Sequence, residues 1–247
     1  MRRQSAATWT LACLALALGG ETCPPGPPPD PSPGEFVVAT FGDSITAGWG
    51  SFPGYSAALD LATEWTVLHE GIAGECGSPH TVAFICSTYA AGAQRLRDAI
   101  DPLLADPGID AVVAMWGTND AGAGALFLTL GGEQGPALWA TQRDDYLHDI
   151  VEAVALARTR RVDVVYVFPP KTFGADAAVR NPLLLELRAA LGGPTGPLQQ
   201  MGAVMVDLYA ASEADPGMID EADGIHWTAG GAETAAALIQ NALAAFE

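Results

Sequence analysis

Short apolar, β-branched runs alternate with longer Ala- and Leu-rich stretches from residue 35 to the end of the chain. Strands that are buried on both faces are apolar along their whole length, so this pattern predicts a parallel sheet covered by helices on both faces. The predicted strands are residues 36–41, 66–69, 110–115, 162–168 and 203–208. The predicted helices are residues 55–64, 89–104, 144–160, 182–191 and 229–245. Strands with intervening helices predict one doubly wound α/β domain.

Two tracts interrupt this alternation. Residues 121–139, AGAGALFLTLGGEQGPALW, and residues 171–180, KTFGADAAVR, are predicted to be loops. Because open α/β folds bind ligands at the carboxyl ends of their strands, we expect both loops at that edge of the sheet.

The first residues have the features of an export signal. Arg2 and Arg3 precede an apolar stretch, residues 6–18, that is too short to span a bilayer, and a small-x-small cleavage motif ends at Gly19. We therefore expect residues 1–22 to be a signal peptide, and the protein to be exported to the periplasm or the extracellular space.

A proline-rich segment follows this signal. Residues 23–34 contain PPGPPPDPSPG, which predicts an extended linker ahead of a single folded domain at residues 35–247. Cys23, at the start of the linker, keeps lipoprotein processing open, so a lipid anchor at Cys23 is the alternative to soluble export.

The charge of the chain restricts its partners. The formal net charge is −18, and the loss of Arg2 and Arg3 takes it to about −20 if cleavage follows Gly19. A strongly negative surface repels phosphate backbones, so we expect no nucleic-acid partner, and it favours neutral or cationic substrates. Solubility outside the cell explains the same charge, and the sequence leaves the oligomeric state open.

Two cysteines lie within the expected folded domain, Cys76 and Cys86. An oxidising compartment permits a disulfide between them, and a pair of reduced, buried thiols is the alternative. Their spacing matches no zinc-binding pattern, since neither belongs to a CxxC motif and no paired histidines follow.

Ser44 is the first candidate for chemistry. It follows the first predicted strand in the stretch FGDSITAGWG, where the chain must turn towards the next helix and expose the hydroxyl at the sheet edge. A serine alcohol attacks an ester only with a base and an orienting carboxylate nearby. Gly, Asp and Ser are also common turn residues, so for Ser44 taken by itself an ordinary capping or turn serine is the favoured interpretation.

A base and a carboxylate occur together near the C-terminus. Asp223 and His226 are three residues apart in DGIHWTAGG, a spacing at which the carboxylate can fix the imidazole tautomer. The alternative is structural, with Asp223 capping nearby amides and His226 packed beside Trp227. Thr228 is in either case a good N-cap for the last helix.

Candidate oxyanion donors follow the second and third predicted strands. Gly74 in HEGIAGECG allows close backbone approach, and Asn119 in MWGTND offers a neutral side-chain donor. Each also has a structural explanation, a tight loop for Gly74 and an Asx-turn for Asn119.

Together these four segments resemble the blocks of the SGNH family of GDSL-type esterases and lipases, from about residue 36 to the C-terminus. Ser44 matches the nucleophile of the first block, and its amide one oxyanion donor. Gly74 and Asn119 match the glycine and asparagine of the next two blocks, and Asp223 and His226 match the last block. The resemblance implies a flavodoxin-like, three-layer α/β/α sandwich with a five-stranded parallel sheet. It also implies ester or thioester hydrolysis through a Ser-His-Asp triad, without a metal or other cofactor.

The second block departs from the commoner family pattern. Glu75, Cys76 and Gly77 stand where a polar run such as Asp-Thr-Thr is often found, and we expect a Cys76–Cys86 bridge to hold the loop that carries Gly74. Asp43 and Asp120 are expected to support the site through hydrogen bonds.

The remaining candidates are expected to be structural. For the other histidines, His69, His80 and His148, packed or solvated positions are favoured over roles in the site. Core packing is the stronger expectation for Trp49, Trp116, Trp139 and Trp227, although aromatic residues beside a cleft also stack sugar rings or line acyl pockets.

We therefore predict an exported serine esterase. Its substrate is a small-molecule, lipid or polysaccharide ester, with short-acyl carbohydrate esters and lipid esters both open. Two alternatives remain: an acyltransferase with the same acyl-enzyme, and a non-catalytic carbohydrate-binding module on the same scaffold.

Overall fold

A parallel sheet forms the centre of the computed structural model, which describes residues 36–78, 91–101, 108–193 and 195–246. Five strands of the described residues form it: β1 (Val37–Gly42), β4 (Thr66–Gly71), β5 (Ala111–Met115), β6 (Asp163–Phe168) and β7 (Val204–Asp207). A separate two-stranded hairpin consists of β2 (Gly48–Trp49) and β3 (Phe52–Pro53). Each predicted strand is thus present, with its ends shifted by at most two residues.

The strand order in the sheet is β4-β1-β5-β6-β7, with every pair parallel. The first strand lies inside the sheet and the second at its edge, which is the flavodoxin-like order. The predicted α/β fold class is confirmed. Since the order reverses at β1, a crevice is expected at the carboxyl end of that strand.

Helices cover the sheet on both sides. In the described residues they are α1 (Ser44–Ala47), α2 (Tyr55–Ala62), α3 (Gly92–Ala99), α4 (Thr118–Leu130), α5 (Gly135–Thr159), α6 (Ala177–Leu191), α7 (Pro197–Gln200), α8 (Leu208–Ala214) and α9 (Ala229–Leu243). Successive side chains of the central strands enter two different apolar cores, as alternation in a strand requires. None of these described helices combines the length and the apolar character needed to cross a membrane.

The prediction of a loop over residues 121–139 is wrong, because this tract is helical for most of its length. Helix α4 runs from Thr118 to Leu130, and α5 starts at Gly135. One of the glycines that suggested a loop, Gly124, serves helix packing instead: a Cβ at this position would lie 2.3 Å from the ring of Trp139 in α5. Glycine is therefore required at position 124 because the two helices approach closely there.

Residues 171–180 agree only in part with the predicted loop. The stretch is irregular as far as Asp176, and α6 begins at Ala177, five residues before the predicted start at Pro182. Proline removes one helical hydrogen bond and usually marks a helix start, which explains the misplaced boundary.

Other predictions fall wholly or partly outside the described residues. These are the signal peptide, the linker, Cys86, His80 and the ends of the helix predicted over residues 89–104. Within the last of these, α3 spans Gly92–Ala99.

Candidate active site

The ends of three adjacent strands bring the first candidate residues to one edge of the sheet. Gly42, the last residue of β1, is paired with Gly71 of β4 on one side and Met115 of β5 on the other. Ser44 follows β1 by two residues, Gly74 follows β4 by three and Asn119 follows β5 by four. Segments that are far apart in the sequence therefore meet because their strands are hydrogen-bonded neighbours.

Ser44 is the first residue of the short helix α1. The Asp43 side chain caps this helix by accepting a hydrogen bond from the Ile45 amide at 2.9 Å. The indole Nε1 of the buried Trp227 donates to the Ile45 carbonyl at 3.0 Å. The turn that carries Ser44 is thus held by the side chains of Asp43 and Trp227, and Trp227 is the residue next to His226 in the chain.

The imidazole of His226 connects Ser44 to Asp223. His226 Nε2 lies 2.8 Å from Ser44 Oγ, and His226 Nδ1 lies 2.5 Å from Asp223 Oδ2. Ser44 is buried apart from 6% of its surface, and its interaction with His226 spans 182 residues of sequence. This is the arrangement in which a carboxylate sets the tautomer of an imidazole that faces a serine hydroxyl.

Asp223 also has the capping role that the sequence left as its alternative. Its Oδ1 accepts hydrogen bonds from the amides of Ile225 at 2.8 Å and His226 at 3.0 Å, while Oδ2 contacts the imidazole. Burial acts to raise the pKa of Asp223, but the hydrogen bonds from the His226 ring and the two amides outweigh it and lower the pKa. The carboxylate is therefore held charged and fixed in orientation.

The Asn119 side chain contacts the loop that carries Gly74. Its Nδ2 donates to the backbone carbonyl of Glu75 at 2.9 Å, which leaves the second hydrogen of this amide for another acceptor. Gly74 has a φ of +77°, a conformation that side chains other than glycine rarely adopt. Two of the proposed oxyanion donors are thus coupled to each other, and their catalytic roles stay predictions.

Buried polar contacts hold this loop, and the sequence analysis did not find them. The carboxylate of Glu75, 1% exposed, accepts hydrogen bonds from Arg95 and from Trp116 Nε1, both at 2.8 Å. Asp120 accepts from the Gly77 amide at 3.1 Å, as expected of a supporting residue. The signal in the sequence was the position of two acids directly beside the predicted donors, at Glu75 and Asp120.

Asp43 belongs to the same group of buried acids. Burial, with a smaller effect from the nearby carboxyls of Asp120 and Glu75, raises the pKa of Asp43 to about 7 against the opposing Ile45 hydrogen bond. Its Oδ2 is buried and has no hydrogen-bond partner within the described part of the chain. Burial likewise raises the pKa of Glu75, in spite of the hydrogen bonds from Arg95 and Trp116.

A second group of serine, histidine and aspartate side chains is present, but its serine is not accessible to a substrate. Ser56 Oγ is hydrogen-bonded to His69 Nδ1, and His69 Nε2 lies 3.7 Å from Asp60 Oδ2. Ser56 is only 2% exposed and its hydroxyl is also 2.7 Å from that of Thr40, so this serine cannot reach a substrate. His69 thus makes structural contacts, while His148 pairs with Glu152 on the surface.

The tryptophans divide into buried and exposed. Trp116, Trp139 and Trp227 lie in the two cores, in agreement with core packing. Trp49 differs, since 54% of its surface is exposed. It lies on the β2–β3 hairpin, where its ring centroid is 6.1 Å from that of His226.

Phe52, on the same hairpin, was not found by the sequence analysis. Its ring stacks on His226 with a centroid distance of 5.2 Å and an interplanar angle of 12°. Trp49 and Phe52 are paired across the hairpin, so both contact the imidazole from one structural unit.

The predicted disulfide falls on Cys86, outside the described residues, and stays a prediction; Cys76 is buried and is not a free thiol. Among the residues that the structure describes, no group of three or more His, Cys, Asp or Glu side chains is arranged to hold a metal ion.

A family model and several solved structures match this chain. The model of the GDSL-like lipase/acylhydrolase family matches residues 40–234. The fold is similar to that of a lipase/acylhydrolase from Enterococcus faecalis, at 22% identity over 84% of this chain and 95% of that chain, with a TM-score of 0.51. No curated protein matches the chain in sequence.

Two further solved structures share the fold. A putative acylhydrolase from Bacteroides fragilis is 21% identical over 89% of this chain and 92% of that chain, with a TM-score of 0.56. A variant of an acetyl-xylooligosaccharide esterase from Geobacillus is 16% identical over 85% and 94%, with a TM-score of 0.51.

Proposed function

This chain belongs to the GDSL-like lipase/acylhydrolase family, and we propose that it is a serine ester hydrolase that uses Ser44, His226 and Asp223 to cleave carboxylic esters. One observation carries the proposal: Ser44 Oγ, a largely buried hydroxyl at the carboxyl edge of the sheet, lies 2.8 Å from His226 Nε2. That distance is within the range needed for proton transfer between a nucleophile and its base.

The reaction begins with acylation of the serine. His226 Nε2 accepts the Ser44 proton as Ser44 Oγ forms a bond to the ester carbonyl carbon, and the imidazolium is stabilised by the Asp223 carboxylate. The tetrahedral intermediate then collapses with cleavage of the bond to the alcohol oxygen, which takes the proton from His226. The alcohol leaves and Ser44 carries the acyl group.

Hydrolysis of the acyl-enzyme completes the cycle, with water as the nucleophile and Ser44 Oγ as the leaving group. His226 takes a proton from water as the water oxygen attacks the acyl carbon, and returns it to Ser44 Oγ as the acid leaves. In both steps the negative oxygen is stabilised by the Ser44 amide, the Gly74 amide and the Asn119 side chain. The coupling of Asn119 to the Glu75 carbonyl supports this assignment, because it limits where the free amide hydrogen points.

We extend the proposal to location. The basic and apolar pattern of residues 1–22 supports export, and the proline-rich residues 23–34 support a tether between the membrane or cleavage site and the domain. Fractionation of cells that produce the full chain and its Cys23→Ser variant distinguishes the two forms of export. A lipid anchor requires the wild type in the membrane fraction and the variant in the soluble fraction.

The test of the activity combines labelling with turnover. A fluorophosphonate probe should label the wild type and not Ser44→Ala, and the wild type alone should hydrolyse p-nitrophenyl esters, with the preferred acyl length reporting the depth of the acyl site. Ser56→Ala is the matched control, since Ser56 also contacts a histidine but is buried, and it should keep labelling and activity. Equal labelling of Ser44→Ala and the wild type would refute the proposed nucleophile.

A further inference from the structure

The chemistry of the proposed reaction fixes which side of the site holds the alcohol part of the substrate. The proton that leaves His226 Nε2 must reach the departing alcohol oxygen, so this oxygen lies within about 3 Å of that nitrogen. The acyl carbon is bound to Ser44 Oγ, and its carbonyl oxygen points to the oxyanion donors. The groups beside the His226 ring therefore flank the alcohol part of the ester rather than its acyl part.

Two aromatic rings lie beside the His226 ring. Phe52 lies nearly parallel to the imidazole, and Trp49 is tilted by 47° with its centroid 6.1 Å away. Phe52 is partly buried, whereas Trp49 exposes 54% of its surface. Trp49 is thus the ring that a bound alcohol can cover.

The position of Trp49 is set by a tight turn. Trp49 and Phe52 are opposite each other in the hairpin, so only Gly50 and Ser51 connect them. Gly50 has a φ of +57°, the conformation that two-residue hairpin turns favour. A cross-strand pair on so short a hairpin shares one face, and here both rings are directed at His226.

We propose that Trp49 is a binding platform for a neutral, cyclic alcohol part of the substrate, which makes a sugar ring carrying a short acyl ester the preferred substrate class. This inference rests on the proposed function and deepens it. A pyranose has a flat face of C–H groups and a rim of hydroxyls, so it covers an exposed indole while its polar groups stay hydrated.

The net charge of the chain favours a neutral sugar ester over an ester with an anionic alcohol part. The chain has a formal net charge of −18, which disfavours an anionic alcohol part such as that of a phosphoglyceride. A neutral sugar meets no such repulsion. The exposed indole and the acidic character of the chain thus favour the same occupant.

The experiment compares alcohols at a constant acyl group. Initial rates of the full chain are measured on a monoacetylated methyl xylopyranoside and on ethyl acetate, for the wild type, Trp49→Ala and Trp49→Phe. Leu61→Ala is the matched control, because Leu61 is 89% exposed and lies on helix α2 outside the site.

We expect Trp49→Ala to lower kcat/KM on the sugar ester by about tenfold, mostly through a higher KM, as the loss of one aromatic stacking contact predicts. On ethyl acetate the same variant should stay within about twofold of the wild type, and Trp49→Phe should be intermediate on the sugar ester. Leu61→Ala should match the wild type on both.

Other outcomes overturn the inference. An equal loss on both esters would make Trp49 a residue that acts on His226. On the p-nitrophenyl ester series, a loss in Trp49→Ala that grows with acyl length would place Trp49 in an acyl pocket. A wild type that prefers ethyl acetate or an acetylated glycerophosphate over the sugar ester would also contradict it.

Failure of the proposed hydrolase function can be distinguished from failure of the inference about Trp49. If the wild type cleaves no ester and is not labelled at Ser44, the hydrolase proposal fails. Saturation-transfer NMR with the acetylated xylopyranoside then still tests the platform without turnover, in Ser44→Ala against Ser44→Ala/Trp49→Ala. Transfer in the first protein and not in the second supports the platform, and equal transfer refutes it.

Discussion

Arg95 donates a hydrogen bond at 2.8 Å to the carboxylate of Glu75, which is almost completely buried and is next to Gly74 in the chain. The same Glu75 accepts from Trp116 through its side chain and from Asn119 through its backbone carbonyl. Glu75 thereby connects a partly exposed arginine, a core tryptophan and a proposed oxyanion donor. The loop that carries Gly74 is consequently positioned by a buried ion pair in the described structure.

Replacing Arg95 with alanine should weaken both stability and catalysis. Removing one partner of a buried ion pair costs about 3–5 kcal/mol, and the smaller loss expected here, about 2 kcal/mol, reflects a partly exposed Arg95 and the remaining Trp116 hydrogen bond. We also expect kcat to fall more than KM changes, since the oxyanion donors act mainly in the transition state. Urea unfolding and steady-state kinetics measure the two effects.

Two further variants serve as controls for Arg95→Ala. The double variant Arg95→Ala/Glu75→Gln should recover part of the lost stability, because no unpaired carboxylate remains buried. Arg143→Ala removes a more exposed arginine from its contact with Glu186 and should change stability by less than about 1 kcal/mol. A double variant less stable than Arg95→Ala would contradict the ion-pair explanation.

Asp223→Asn should leave the fold intact and lower kcat by about 10³- to 10⁴-fold. An amide in place of the carboxylate permits the wrong imidazole tautomer and no longer stabilises the imidazolium. Asp220→Asn is the control within the same loop, since the Asp220 side chain caps the Ala222 amide, a role that asparagine also performs. Comparable activities of the two variants would remove Asp223 from the mechanism.

The buried carboxyl of Asp43 should make stability depend on pH. Its pKa is raised to about 7 in the folded protein from 3.8, so folding takes up a proton between these values. The contribution of Asp43 to the free energy of unfolding therefore falls as the pH rises from 4 to 7, and it is lost above 7. In Asp43→Asn, which keeps an oxygen for the Ile45 amide, this slope should be smaller by up to about 1.4 kcal/mol per pH unit.

Urea unfolding at intervals from pH 4 to pH 8 measures this difference. The two proteins should differ most at the neutral end, where the wild type has lost the contribution of its protonated carboxyl. Identical slopes would show that Asp43 is ionised in the folded protein throughout this range.

Gly124→Ala should destabilise the protein, although alanine is the better helix former. A Cβ at this position would lie 2.3 Å from Trp139, and overpacking of this kind costs about 1–3 kcal/mol. Gly230→Ala makes the same change in α9 where a Cβ meets nothing within 4 Å, and should stabilise by up to about 1 kcal/mol. Thermal unfolding of both variants checks this, and the same sign for both would contradict it.

The strands and most helices were predictable because their signals are local. A β-branched run such as that of β1 is apolar on both faces, and Thr228 marks the start of α9 by its capping side chain. The prediction of a loop over residues 121–139 was wrong because the structure there depends on a tertiary contact rather than on a local signal. Glycine weakens a helix as a local preference, and only the contact with Trp139 explains why Gly124 is in one.

In the candidate site, too, some features could be predicted from local signals and others depend on tertiary contacts. The order of its motifs was enough to select Ser44, Asp223 and His226, because each residue type suits one task in ester cleavage. Asp223 and His226 meet through their local spacing, whereas the contact between Ser44 and His226 spans 182 residues of sequence and depends on tertiary packing that no local pattern encodes.

The sequence by itself determined the class of fold, the order of the five sheet strands along the chain and the residues with suitable chemistry, since these depend on short-range periodicity and on side-chain type. Only the tertiary structure decided that Glu75 is buried with Arg95, that Ser56 is enclosed while Ser44 meets His226, and that Trp49 remains exposed beside the imidazole. These properties depend on which segments pack together across the sheet, and burial and pKa are set by that packing rather than by neighbours in the chain.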